Sequence, residues 1–227
     1  MGVPPVLILP AGTDNSGAFK IKIGRLAWGS GAADLCRRVA VSAGMSSGFC
    51  LVARAMAEWD SGPMRVVVLS DTHAPRFWKS CPPAVAAELR GADVVLHAGD
   101  VCVAPVLDEL AEYAPVHVVL GNNDGPDVAA WGAPETVELD LAGLRVAMIH
   151  DSGQKAGRTK RMRRRFPDAD LVVFGHSHIP VDLTGDGVRI FNPGSPTDRR
   201  RQPHGTLGVL HIDDGKLVEA RIVPVTG

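Results

Sequence analysis

Five apolar runs in this chain each end in a cluster of oxygen and imidazole donors, and no other feature restricts its folding as strongly. Arg65-Val66-Val67-Val68-Leu69 runs into Ser70-Asp71-Thr72-His73, and Val94-Val95-Leu96 into His97-Ala98-Gly99-Asp100. Val116 to Leu120 leads to Gly121-Asn122-Asn123-Asp124, Val146 to Ile149 to His150-Asp151, and Leu171 to Phe174 to Gly175-His176-Ser177-His178. Continuous β-branched runs are the pattern of strands buried on both faces. One donor from each cluster (Asp71, Asp100, Asn122, His150, His176) follows the last by 22 to 29 residues, the length of one βα or ββ unit. Five strands therefore bring their hydrophilic ends to one edge of the fold, the carboxyl edge where α/β sheets bind ligands.

The segments between these runs define the class. Pro82 to Arg90 and Pro105 to Tyr113 have helical patterns with proline at the start, so strand, helix, strand, helix, strand gives a parallel α/β unit with right-handed crossovers. Later, Thr136 to Leu141 alternates before Gly143 and the Val146 run, which is a hairpin signal. Lys155 to Phe166 reads as a polar helix. Val181–Thr184 with Val188–Phe191, and Leu207–Ile212 with Leu217–Ile222, read as hairpins around Gly-containing turns. An α/β protein with two face-to-face sheets and helices outside accommodates this order.

The first 63 residues differ. None of the eight histidines lies there, and Gly and Ser interrupt each apolar stretch. No period persists for a full element except across Ala33 to Val41, a short helix candidate. Arg37-Arg38 before Val39 to Ala57 has the outline of an export signal, but Ser46-Ser47-Gly48 and Arg54 break it. Gly12 and Gly17 have phosphate-loop spacing, yet Ala18-Phe19 stand where Lys-Ser/Thr is required. Ser61-Gly62-Pro63 reads as a linker. The expectation is an atypical leader over 1–63, disordered or an over-extended start with Met64 or Met56 as the true beginning, and a functional domain over 64–227.

Composition excludes several classes. Hydrophobic residues at 45% and charged residues at 22% describe a soluble globular chain, neither disordered nor collagen-like. Lys+Arg 24 against Asp+Glu 25 leaves a net charge of -1, so no bulk field draws the chain to nucleic acid or an acidic membrane. No apolar run approaches the roughly 18 residues of a membrane span. The four cysteines form no C-x-x-C pair, which fits free thiols in a reducing cytoplasm.

The converging donors are two Asp, one Asn and four His, a mixture suited to Mn²⁺, Fe, Zn²⁺ or Ni²⁺ rather than Ca²⁺. Seven ligands exceed what one ion takes, whereas two ions sharing a carboxylate use them well. A buried histidine alone is more often a core residue, Asn122 alone could cap a helix, and Gly185-Asp186 shows that a Gly-Asp pair can be only a turn. Five ordered motifs at strand ends outweigh these readings, because no structural role needs so many costly polar groups at one sheet edge. A metallo-β-lactamase-type centre would need Asp at the second position after His-x-His, where Pro180 stands.

The series Asp71-x-His73, Gly99-Asp100, Gly121-Asn122-x-Asp124, His150 and Gly175-His176-Ser177-His178 resembles the calcineurin-like metallophosphoesterases. With Asn192-Pro193-Gly194-Ser195 after it, the short chain resembles their compact bacterial and archaeal phosphodiesterase branch. The resemblance covers Met64 to about Asp214. It implies a four-layer α/β/β/α sandwich with two mixed sheets, Asp71, His73 and His178 on a first metal, Asn122, His150 and His176 on a second, and Asp100 bridging. It implies a dimetal phosphoesterase, most simply a phosphodiesterase, in which a metal-bound hydroxide attacks a small phosphodiester or phosphomonoester. Mn²⁺ is the first expectation, with Ni²⁺, Fe, Zn²⁺ and Co²⁺ as alternatives. Asp100, Asn123, Asp124 and His176 are the candidate catalytic residues. Asn123 departs from the family, since many members place a histidine there, near the leaving group.

Weaker features remain. Arg158 to Arg165 holds six basic residues in eight and could draw anionic substrate or RNA, although a solvated helix face is the simpler reading and no interleaved aromatics support base stacking. Arg199-Arg200-Arg201 could contact a phosphate. His97 reads as packing or supporting the site, and His117, His204 and His211 as surface or structural. Oligomeric state has no signature, so a homo-oligomer stays open. The rival class is a scaffold acting through protein contacts, as in a retromer subunit of this fold with an impaired metal site; here all seven donor positions are filled.

Overall fold

The computed structural model describes residues 6–13, 19–26, 59–60 and 63–225. In chain order these form β1 (Val6–Thr13), β2 (Phe19–Leu26), β3 (Trp59–Asp60), β4 (Met64–Leu69), α1 (Pro83–Leu89), β5 (Val94–His97), α2 (Pro105–Ala111), β6 (Val116–Val118), α3 (Pro126–Trp131), β7 (Thr136–Leu141), β8 (Leu144–Ile149), α4 (Arg158–Arg165), β9 (Leu171–Val173), β10 (Val181–Gly185), β11 (Val188–Asn192), β12 (Thr206–Asp213) and β13 (Lys216–Pro224). The helix candidate at 33–41, the Met56 start and Cys36 and Cys50 lie outside the described residues.

Alternation within β4 sets the layering. Val66 and Val68 enter one core, while Val67 and Leu69 enter another. The first core lies between two sheets and holds Leu96, Val146, Met148, Val173 and Phe191. The second joins the outer face of the β4 sheet to Val85 and Leu89 of α1, Val106, Leu107 and Leu110 of α2, and Val128 of α3. A third seats Met162 and Phe166, in and just after α4, against Ala147, Val172 and Ile190 on the opposite sheet. Three apolar interfaces separate four layers, so the α/β/β/α sandwich with two mixed sheets is the observed architecture.

The β4 sheet has the order β13-β12-β4-β5-β6. β4, β5 and β6 run parallel, and β12 pairs antiparallel with both β4 and β13. The other sheet has β7-β8-β9-β11-β10 as its body, with β8 parallel to β9 and β9 parallel to β11. All three expected hairpins form: β7–β8, β10–β11 and β12–β13.

Two differences from the sequence reading have local causes. The helix α3 was not expected: Pro126 starts it after Gly125 and Gly132 ends it at φ 115°, in only six residues, too short to show a period. The first 63 residues also contain three strands, of which β3 is only two residues long and pairs with β2. β1 and β2 pair antiparallel, and β2 joins β7 in parallel, with Lys20 opposite Glu138 and Ile23 opposite Leu141. The alternation Phe19-Lys20-Ile21-Lys22-Ile23 is a strand pattern, hidden by the glycines around it.

The two sheets touch closely where β12 crosses Phe191. A Cβ at Gly208 would lie against the fully buried Phe191 ring, so the glycine leaves room for the aromatic. Truncating Phe191→Ala is expected to lower the unfolding free energy by about 3–5 kcal/mol through the cavity it leaves. Urea unfolding checks this as a lower midpoint with an unchanged slope.

Candidate metal centre

The carboxyl ends of β4, β5, β8 and β9 are stitched to one another by backbone bonds. The Ala98 amide donates to the Leu69 carbonyl, the Asp71 amide to Gly99, the His73 amide to Asp100, and the Gly175 amide to His150. These bonds align the motif of β4 with that of β5 in one sheet and the motif of β8 with that of β9 in the other. The chain must turn sharply to do so: Asp71, His73, Asp100, His176 and His178 all adopt left-handed backbone, with φ between 48° and 67°. Each such residue costs of order 1–3 kcal/mol and persists only where its surroundings hold it, as functional sites commonly do. Gly99, at φ 87°, has no room for a side chain, since a Cβ would lie 2.7 Å from His150 Nδ1. Gly121 is equally confined, by the backbone and carboxylate of Asp100.

The donor atoms form two groups. Asp71 Oδ1 lies 3.4 Å from His178 Nε2, which lies 3.2 Å from His73 Nε2. Asn122 Oδ1 lies 2.9 Å from His176 Nδ1 and 3.2 Å from His150 Nε2. Asp100 Oδ2 stands between the groups, 3.5 Å from His73 Nε2 and 3.4 Å from His150 Nε2. Ligands about 2.1 Å from an ion and 90–109° apart are separated by about 3.0–3.4 Å, so these hydrogen-bond-range spacings are also compatible with coordination shells. All seven sequence-derived donors are thus brought together, and the residues fit a pair of divalent ions.

The outer contacts fix which ring nitrogen faces inward. His150 Nδ1–H donates to the Ala98 carbonyl at 2.7 Å, and His178 Nδ1–H donates to the Asp198 carbonyl at 2.6 Å. Nε2 of each is thereby the nitrogen that faces the centre. Burial pushes the Asp71 carboxyl up to about 7, although the His150 charge and the Ser70 hydroxyl pull it down. Burial opposes ionisation of Asp100 too, but hydrogen bonds from His150 and the Asn123 amide outweigh it and hold that carboxyl well below its ordinary range. Burial lowers His73 and His178. At His150 burial acts the same way, but its bond and attraction to Asp100 win and raise it.

The other candidates occupy different places. Asn123 donates from its backbone and side-chain amides to Asp100 Oδ1 and Oδ2, at 2.8 and 2.7 Å. Asp124 spends both oxygens on backbone amides: Oδ2 accepts from Asp100 and Gly121, Oδ1 from Cys102. Both residues shape the Asp100 loop. His97 is fully buried, its Nε2 3.2 Å from the Thr72 hydroxyl between two donors, and burial pushes it down to about 3.

Several supporting residues carried no role in the sequence reading. Ser70 donates to Asp71 Oδ2 and lies 2.7 Å from the Gly194 carbonyl, and Ser195 donates to the Asp71 carbonyl at 2.7 Å. Asn192 donates to the Gly175 carbonyl and accepts from the Gly194 amide. The Asn192-Pro193-Gly194-Ser195 motif was visible as a pattern; its work is to clamp the first and last donor loops. Half of the basic run of α4 is committed to the backbone, while Lys160, Arg164 and Arg165 are exposed. Arg161 donates to the Ser152 and Gln154 carbonyls, Arg163 to Pro167, and Arg158 to Gly153 while stacking over Phe174. Arg199 donates to the Gln202 and Pro203 carbonyls, and His211 pairs with Glu219 across the β12–β13 hairpin.

Residues 64–215 match the calcineurin-like phosphoesterase superfamily domain. A protein of Methanothermobacter thermautotrophicus named as a probable metallophosphoesterase is 34% identical over 164 residues, covering 70% of this chain and 92% of that one. Vacuolar protein sorting 29 of Cryptosporidium parvum shares the fold with a TM-score of 0.59 at 21% identity, over 71% of this chain and 97% of its own. A structure described as a novel archaeal phosphodiesterase gives 0.55 at 21% identity, over 71% and 99%. At these identities the two structural likenesses concern the fold alone.

The raised Asp71 carboxyl has a measurable consequence in metal-free protein. Between the unfolded value of 3.8 and about 7, the folded state holds this proton and the unfolded state does not. Stability contributed by that proton is present below the lower value and is lost as pH rises through the window. Asp71→Asn, which mimics the protonated side chain, should match wild type near the lower end and exceed it above the upper end. Parallel urea titrations across this range would show the two stability curves diverging.

Proposed function

The chain belongs to the calcineurin-like phosphoesterase superfamily, and on that premise we propose that it is a phosphodiesterase working with two divalent ions, Mn²⁺ first among them. One observation carries the reading: a single carboxylate oxygen, Asp100 Oδ2, lies within 3.5 Å of a histidine nitrogen from each donor group, His73 Nε2 and His150 Nε2. When bound, such ions supply a water acidic enough to attack at neutral pH and neutralise charge on the phosphoryl oxygens.

The chain's own residues do the rest. Asp71, His73 and His178 hold one position, Asn122, His150 and His176 the other, and Asp100 fixes the spacing between them. Asn122, Asn123 and His176 are exposed, so a small phosphodiester or phosphomonoester reaches the centre from their side. Asp124, Ser70 and Ser195 hold the donor loops. Asn123 clamps Asp100 and cannot ionise, so it offers the departing oxygen no acidic proton. Arg158, Arg161 and Arg163 are engaged by carbonyls, which leaves Lys160, Arg164 and Arg165 as the exposed charges of α4, and with no interleaved aromatics for base stacking nucleic acid is the less favoured substrate. No helix among the described residues is long and apolar enough to cross a membrane, and the free thiols of Cys81 and Cys102 fit a reducing cytoplasm.

Purified protein should hydrolyse bis(p-nitrophenyl) phosphate when Mn²⁺ is added and stop when a chelator is. No turnover with any of several divalent metals would instead favour the scaffold reading. Asp100→Asn should fall below about 1% of wild-type turnover, because both metal positions lose their shared ligand. A diester with an aryl leaving group should turn over faster than an alkyl diester of similar affinity. Equal kcat values would mean that some other group supplies the proton.

A further inference from the structure

The arginines of the Arg199-Arg200-Arg201 run have different occupations. They lie on a turn closed by the Gln202 amide, which donates to the Arg199 carbonyl at 2.8 Å. Arg199 spends its Nη1 on the Gln202 and Pro203 carbonyls. Arg200 has one polar neighbour, Asp198 Oδ2, 3.8 Å from its Nε. At that distance, with the Arg200 side chain half exposed, such a pair is worth little. Both Nη groups of Arg200 are unbonded among the described residues. Its backbone is left-handed, at φ 47°, a strain it shares with five of the donors and one that functional loops commonly hold.

Asp198 fixes where this guanidinium stands. The Asp198 carbonyl accepts from His178 Nδ1 at 2.6 Å, and its Oδ2 lies 3.6 Å from the same nitrogen. Arg200 is therefore one carboxylate away from the outer side of the His178 ring, and its charge bears on both His73 and His178. Arg76, within one turn of His73, lies over the Phe77 ring, with Cζ 5.0 Å from the centroid. Asn122 and Asn123, exposed beside the other metal position, carry no charge. The His178 ring stands between Arg200 and the centre, so Arg200 is set too far back to share a phosphoryl group held there. It can meet a group that extends past His178. Its Nε edge faces Asp198, and its Nη edge is open. A planar fork of N–H groups matches phosphate oxygens at two points.

We propose that Arg200 binds a second phosphate of the substrate, carried on the ester group that passes over the Asp71–His73–His178 position. The preferred substrate class is then a small phosphodiester bearing a further phosphate, and Arg200 is the residue that selects it. This inference rests on the phosphodiesterase reading above, which leaves the class of diester open.

The test begins with binding. Calorimetry on the full chain loaded with Mn²⁺ compares thymidine 5′-phosphate with thymidine 3′,5′-bisphosphate, which differ only in the second phosphate. Wild type should hold the bisphosphate about tenfold more tightly, the scale of a hydrogen bond to a charged group. Arg200→Gln should bind the two alike. Arg201→Gln, which removes the same charge one residue along, should keep the preference. No preference in wild type, no binding of the bisphosphate, or a preference that survives in Arg200→Gln overturns the inference. Equal loss in both variants also overturns it, since the effect would then belong to overall charge. Turnover is the second arm, with the p-nitrophenyl ester of thymidine 5′-phosphate against the same ester carrying a 3′-phosphate. The 3′-phosphate should give an advantage of about tenfold in KM, and that advantage is what Arg200→Gln should remove; an effect confined to kcat counts against Arg200 as a binding residue. Hydrolysis of neither ester with any divalent metal overturns the phosphodiesterase reading, and the binding arm still decides the inference.

Discussion

The bond from His150 Nδ1–H to the Ala98 carbonyl is the joint on which the rest depends. His150 follows β8 in one sheet, and Ala98 follows β5 in the other. Sheet packing alone leaves two stacked faces free to slide, because apolar contact has no direction. This bond is directional, buried and only 2.7 Å long, so it fixes one sheet's edge against the other. It also decides which nitrogen of His150 looks inward. With the bonds of Ser70 to Gly194, Ser195 to Asp71 and the His176 amide to Asp71, it aligns the layers, and it alone also prepares the His150 ligand.

The centre is costly to assemble. Asp71, Asp100, His150 and His178 are all buried, and five donor residues sit in left-handed backbone. Burial of so many polar groups is tolerable only when each is partnered. The structure supplies those partners from neighbouring loops: Ser70 and the His176 amide for Asp71, Asn123 for Asp100, carbonyls for two histidines. Asp71 is the least compensated, and its raised carboxyl shows it. A divalent cation between such groups turns mutual repulsion of bare nitrogens and carboxylates into attraction. The strain and the unmet charge are two signs of one requirement.

Much of this was legible in the sequence. The seven donors announced themselves because each ends a buried β-branched run, and the intervals between them match the repeat of the fold. The three hairpins were legible from glycine turns between alternating runs. What escaped detection had no periodic signature. The Ala98 carbonyl carries no side-chain signal at all. Asp124 looked catalytic because it belongs to the motif, yet its oxygens hold backbone amides, a role visible only once the loop at Asp100 is folded over it. The arginines of α4 looked like a charged face, but Arg161 reaches back to carbonyls of the loop after His150, a contact set by tertiary packing.

The order of the β4 sheet bears on how the protein is made. All seven donors have been synthesised by residue 178, but β4 carries two of them at its end and gains its second neighbour only when β12, Thr206–Asp213, arrives. Until then β4 is an edge strand with open backbone groups. The loop that clamps Asp71 and His178 also belongs to this last stretch, through Ser195 and Asp198. A nascent chain on the ribosome would thus carry every ligand while lacking the strand and loop that hold them in place. Formation of the centre is thereby deferred until β12 and β13 have been made and their hairpin closes the sheet.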